Sequence, residues 1–238
     1  MITPLEETYP YILEEILNKN NVQIYFEVLN AGCGGYSSFQ GLRFLKSELL
    51  EYGPDLLIVW FGINDIEESI LYSDKEQKFP SEIFTKLNKI LNHSKFYQFY
   101  RQGLFFLLSK FTKNKRRISA EDYCENLRKM SQLAKEKGIS IMFITPVWNI
   151  NSTIASLEEQ GLEGYAKIFK DFLKEDVSVL DMANIFKQKR YGAKYFIDMC
   201  HMIPEGNRII AEAVYDLLIK EKIIPIIHNV GEKIKKAY

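Results

Sequence analysis

Asp198 and His201 stand three residues apart in "YFIDMCHMIPEGN" (195–207), just ahead of a helix start at Pro204. A carboxylate that close to an imidazole can fix its tautomer and leave the far ring nitrogen free to take a proton. That is half of a hydrolase. The other half is a nucleophile, together with donors for a developing oxyanion. Two further loops carry suitable donors. "NAGCGGYSS" (30–38) offers Gly35, which can bring a backbone N–H close to a ligand because it lacks Cβ. "GINDIEES" (62–69) offers Asn64, with a side-chain amide donor. Each residue taken alone has a plainer reading: Gly35 as a turn glycine, Asn64-Asp65 as a turn or cap, Asp198 as an N-cap, His201 as structural.

The surrounding pattern gives these loops a common address. Apolar residues at helical spacing predict a helix over 6–19, and others follow over about 39–51, 119–136, 154–174 and 204–221. "VQIYFEVLN" (22–30) reads as a strand. "DLLIVWFG" (55–62), "KGISIMFITP" (137–146) and "DVSVLDM" (176–182) are apolar runs bounded by turn signals, as expected of strands covered on both faces. Strands alternating with helices predict an α/β domain with a mostly parallel sheet between two helical layers. In such a sheet ligands bind beyond the carboxyl ends of the strands, and the three loops all lie there.

Composition narrows the partners. Lysine plus arginine equal aspartate plus glutamate at 31 each, which removes a global case for nucleic acid. Cys33, Cys124 and Cys200 form neither a disulfide framework nor a metal-ligand spacing, so a reducing compartment and no metal are expected. With no signal-like opening and no run long enough to span a bilayer, the residues given point to the cytoplasm. The chain is expected to form one domain over 1–238, with a helical insertion or lid at 66–118. The insertion holds "FYQFYRQGLFFLLSKF" and a basic cluster, Lys113, Lys115, Arg116 and Arg117. It is expected to pack its aromatic face on the domain and solvate its basic end, or else to wall an active site or touch a membrane surface through 96–117.

From about Glu6 to Lys220 the chain resembles the SGNH hydrolases, the GDSL-type esterases and lipases. "VLNAGCGGYSSFQGLRFLK" looks like that family's second block, "PDLLIVWFGIND" its third and "DMCHMIPEGNRIIAEAV" its fifth. Met202 departs slightly, since proline or leucine is common after the histidine. The resemblance implies the three-layer, flavodoxin-like α/β/α SGNH fold. It also implies ester hydrolysis without a cofactor, on a small-molecule or polysaccharide ester of acyl or acetyl type. Gly35 and Asn64 would be the oxyanion donors, Asp198 the orienting acid and His201 the base.

One block has no counterpart. The family's first block is a strand ending in G-D-S that supplies the nucleophilic serine, and no G-D-S occurs in the sequence. Relatives reach an "EETYP"-like stretch only after that block, whereas here "EETYP" begins at residue 6. The central first strand is therefore expected to be missing and the native polypeptide to start earlier. The chain as written is then inactive or weak, and its nucleophile is unknown. The alternative is a non-catalytic SGNH domain that binds an acylated sugar or lipid. Ser37, Ser38 and Cys33 are the nearest replacement nucleophiles. The serines are expected to bond the loop or cap the next helix, and a small cysteine is usually inert. Cys200, His93 and His228 read as structural.

Overall fold

The computed structural model describes residues 3–21, 23–69, 72–77, 82–111, 115–150 and 153–224. A 3-10 turn at Leu5–Glu7 leads into α1 (Tyr9–Asn20), which has Pro10 in its first turn, where a missing N–H costs nothing. Then come α2 (Ser38–Ser47), β1 (Leu56–Val59), α3 (Ile63–Ile66) and β2 (Glu68–Ser69). The insertion contributes α4 (Glu82–Leu91) and α5 (Lys95–Phe111), and is closed by β3 (Lys115–Arg116). After it follow α6 (Ala120–Lys137), β4 (Ser140–Ile144), β5 (Trp148–Ile150), β6 (Thr153–Ala155), α7 (Glu163–Lys174), β7 (Ser178–Leu180), α8 (Met182–Gln188) and α9 (Pro204–Lys220).

The main sheet is parallel, in the order β1-β4-β7, with Leu57 opposite Ile141 and Phe143 opposite Val179. Alternation along each strand divides the apolar residues between two cores. Leu56, Ile58, Met142, Ile144 and Leu180 join α1, α8 and α9, while Leu57, Val59, Ile141, Phe143 and Val179 join α2, α6 and α7. This is the expected three-layer α/β/α arrangement.

Residues 24–30 correct one expectation. They form no ladder among the described residues. The amide side chain of Asn18 bonds both the N–H and the C=O of Phe26 at 2.8 Å, and a Glu14 carboxylate oxygen accepts from Val28 N at 2.6 Å. Side chains of α1 thus do for this segment what a neighbouring strand would do, and β-forming composition cannot supply a partner by itself. The β1 end of the main sheet is open, since β1 pairs only with β4 among the described residues.

The helix expected over 154–174 begins only at Glu163. Ahead of it β5 and β6 pair antiparallel, with Trp148 opposite Ala155. The expected packing of the insertion also fails, because Phe96, Phe99, Tyr100 and Phe106 are exposed.

Candidate active site

The Asp-His segment is a turn pinned at both ends. Phe196 and Met202 form an isolated antiparallel bridge, Ile197 N–H donates to His201 O at 2.8 Å, and Asn149 N–H of β5 donates to Met199 O at 2.8 Å. Within it Asp198 Oδ1 accepts from the backbone N–H groups of Cys200 and His201, at 2.9 and 2.8 Å. Its other oxygen, Oδ2, lies 2.8 Å from His201 Nδ1. The two N–H bonds, the His201 one foremost, hold the Asp198 carboxyl down at about 2, so it stays ionised at any working pH. An ionised Asp198 at Nδ1 puts the imidazole proton on that nitrogen. Nε2 then carries the lone pair.

The oxyanion candidates meet through the backbone. Asn64 Nδ2 donates to Tyr36 O at 2.9 Å, which joins α3 to the residue after Gly35. Gly35 has φ +79°, a left-handed conformation suited to glycine. The structure thus pairs Gly35 with Asn64 in one unit and Asp198 with His201 in another.

The replacement nucleophiles fare poorly. Ser37 caps α2 in a capping box with Gln40, and its hydroxyl donates to Asp74 Oδ2 at 2.6 Å. Ser38 donates from N and Oγ to Asp65 Oδ1, at 2.9 and 2.5 Å, while its Oγ accepts from Asn126 Nδ2 at 3.0 Å. Both serines are fully buried. Cys33 is exposed in the loop. Cys200 Sγ lies 3.6 Å from Nδ1, the nitrogen Asp198 already occupies, and burial pushes its thiol up to about 11. No hydroxyl or thiol bonds His201 Nε2 among the described residues. His93 Nδ1 lies 2.8 Å from Lys89 O, a local contact within the insertion. His228 lies outside the described residues.

Asp65 is the residue that sequence reasoning undervalued. Burial raises its carboxyl from 3.8 to about 6 despite the Ser38 bonds and the nearby Arg117 charge. A raised acid favours the protonated fold, so its contribution is complete below about pH 4 and is lost as pH rises through about 6. That difference corresponds to about 3 kcal/mol. Thermal melts of Asp65→Asn are therefore expected to gain on the wild type as pH climbs through this window. Parallel melting curves from pH 4 to 7 would reject the assignment.

Arg117 is the second residue missed. Its guanidinium donates to Gly35 O at 3.0 Å, Gln40 Oε1 at 3.1 Å, Glu67 Oε2 at 3.3 Å, and both Asp74 oxygens at 2.8 and 3.2 Å. The basic cluster given to solvent thus sends one member inward, where it clamps the Gly35 loop to the neck of the insertion. Asp74 is buried, so Arg117→Gln would leave its charge without a counterion, a loss of about 3 kcal/mol readable in urea melts. A cavity of about 500 Å³ opens at this neck, lined by Ser73, Lys75, Lys115, Asp122 and Tyr165, but none of the four candidate residues lines it.

The family model of the GDSL-like lipase/acylhydrolases matches residues 4–209. The chain belongs to that family. No curated protein matches the sequence. Among solved structures, the GDSL-type fold is shared with the acetyl xylan esterase AlAXEase at 15% identity and TM-score 0.58, over 89% of this chain and 90% of that one. A lipase/acylhydrolase from Enterococcus faecalis aligns at 15% identity and TM-score 0.59, over 92% of this chain and 87% of its own. A catalytic mutant of the acetylxylan esterase Axe2 from Geobacillus stearothermophilus aligns at 15% and 0.60, covering 89% and 80%. Membership of the GDSL-like family supports ester hydrolysis as the class of chemistry.

Proposed function

We propose that this GDSL-like domain hydrolyses acyl or acetyl esters by a serine-hydrolase mechanism, with the serine carried on a strand that pairs with the open edge of β1. His201 Nε2 takes the serine proton as the hydroxyl attacks the ester carbonyl, and Asp198 steadies the imidazolium. Gly35 N–H and the Asn64 amide donate to the tetrahedral oxyanion. The imidazolium then protonates the leaving alcohol, and water releases the acid from the acyl-enzyme. The observation that carries this reading is the 2.8 Å contact of Asp198 Oδ2 with His201 Nδ1, with Nε2 hydrogen-bonded to no protein group among the described residues. Acetyl xylan esterases among the structural neighbours make a small acetyl ester of a carbohydrate a sensible first substrate.

A second reading has its own support. The two serines beside Gly35 are buried and bonded, so neither is free to attack an ester. A domain in that state binds an acylated sugar or lipid without cleaving it. Hydrolysis of p-nitrophenyl acetate by the chain with and without a Gly-Asp-Ser strand joined to it separates the two readings.

A further inference from the structure

We propose that α4 and α5 form an interfacial anchor that docks the protein on an anionic lipid membrane. The first observation is charge segregation. Residues 82–117 hold nine basic side chains against one acid, Glu82, a net of +8 in a chain whose formal net charge is zero. Lys86, Lys89, Lys95, Arg101 and Lys110 of these two helices are exposed, and none of the five forms an ion pair among the described residues.

The second observation is what lies between those cations. Phe96, Phe99, Tyr100, Leu104 and Leu107 recur at helical spacing along α5, so they share one stripe. They are 79, 76, 59, 43 and 54% exposed, and Leu87 and Ile90 of α4 add 50 and 70%. No described side chain of either helix belongs to the two cores. Single exposed apolar residues are ordinary, but a contiguous aromatic and aliphatic stripe marks an interaction surface. Lys95 and Lys110 stand at the two ends of α5, and the Lys110 ammonium lies 4.5 Å from the Phe106 ring centroid. Long stems with charged tips can lie along an apolar face and reach headgroups.

These features fit a helix lying in the membrane plane with its rings below the headgroups. No described helix is long and apolar enough to cross a bilayer. A second copy suits the face less well, because pairing would set one strongly cationic surface against another. Nucleic acid would use the cations and rings, but it leaves Leu87, Ile90, Leu104 and Leu107 without apolar cover. The anchor is independent of the ester-hydrolase reading, and its test requires no turnover.

The test is flotation of the full chain with phosphatidylcholine vesicles, and with equimolar phosphatidylcholine and phosphatidylglycerol vesicles, at low and high salt. The chain is expected to float with the mixed vesicles only, and less so in high salt. Replacing Lys95, Arg101 and Lys110 by glutamine is expected to weaken binding roughly fivefold per cation removed. The variant Phe96→Ser, Phe99→Ser, Leu107→Ser is expected to bind more than about tenfold more weakly while its melting temperature holds, since all three side chains are exposed. Equal binding to both vesicle types, or unchanged binding of the serine variant, overturns the proposal. So does a lipid-free dimer that the serine variant dissolves, or binding of poly(U) without binding of anionic vesicles.

Discussion

A chimera with a strand ending in Gly-Asp-Ser joined ahead of Leu5 is expected to hydrolyse p-nitrophenyl acetate at least about 10⁴-fold faster than the chain itself, because removing a serine nucleophile from an otherwise intact site costs that order of rate. The expectation rests on how much is already assembled. Asp198 and His201 are in contact at 2.8 Å, and Asn64 is bonded to the Gly35 loop at 2.9 Å. The edge of β1 away from β4 is free to accept a strand among the described residues. Two controls give the result its meaning. In the chimera, His201→Ala should return the rate to background, since the serine then lacks its base. In the chain without the strand, His201→Ala should change nothing. If it abolishes a measurable rate there, the chain already holds a nucleophile, and exposed Cys33 becomes the first residue to replace.

The same contacts explain what could be read from the sequence. Asp198 and His201 were legible because both lie in one four-residue turn, where spacing alone brings carboxylate and imidazole together. Strands β1, β4 and β7 were legible because apolar residues on both faces fill two cores at once. Residues 24–30 have the same strand-like composition, yet they spend their backbone bonds on Asn18 and Glu14. Pairing is a property of two segments, and one segment cannot announce it. The stretch 154–162 misled for a local reason. Ile154 and Leu157 sit at helical spacing, but Gly161 at φ +68° and a bond from Ser156 N–H to Glu159 make it a turn before α7.

Arg117 was illegible in a different way. It reaches Gly35 across 82 positions of sequence and Asp74 across 43, and nothing in "KNKRRI" separates it from its solvated neighbours. Asp65 was visible as the last letter of G-x-N-D, but its work depends on Ser38 and, through it, on Asn126, 88 residues from Ser38. Both residues act on the Gly35 and Asn64 loops from behind. Tertiary structure supplies that layer of a site, and pattern does not.

Gly62→Ala is expected to cost about 2–6 kcal/mol of stability, the largest loss of any single methyl considered at the site, and to disable Asn64 in the chimera as well. Gly62 has φ +135°, where an L side chain is strained by about 1–3 kcal/mol. A Cβ there would also lie 2.4 Å from Pro146 Cγ, and such overpacking adds about 1–3 kcal/mol. The backbone has little room to give, because Tyr123, fully buried, donates its hydroxyl to Phe61 O at 3.0 Å. Relief must come by moving α3, which starts at Ile63 and carries Asn64 and Asp65. A displaced Asn64 loses its bond to Tyr36 O, and loss of one oxyanion donor lowers turnover by about 10²–10³-fold. Gly53→Ala is the control. Its φ of +60° is also positive, but its Cβ would meet nothing within 4 Å, so a cost of about 1–2 kcal/mol and unchanged turnover are expected. Equal losses of stability and activity in the two variants would mean that backbone strain alone matters, and that contact with Pro146 does not fix Asn64.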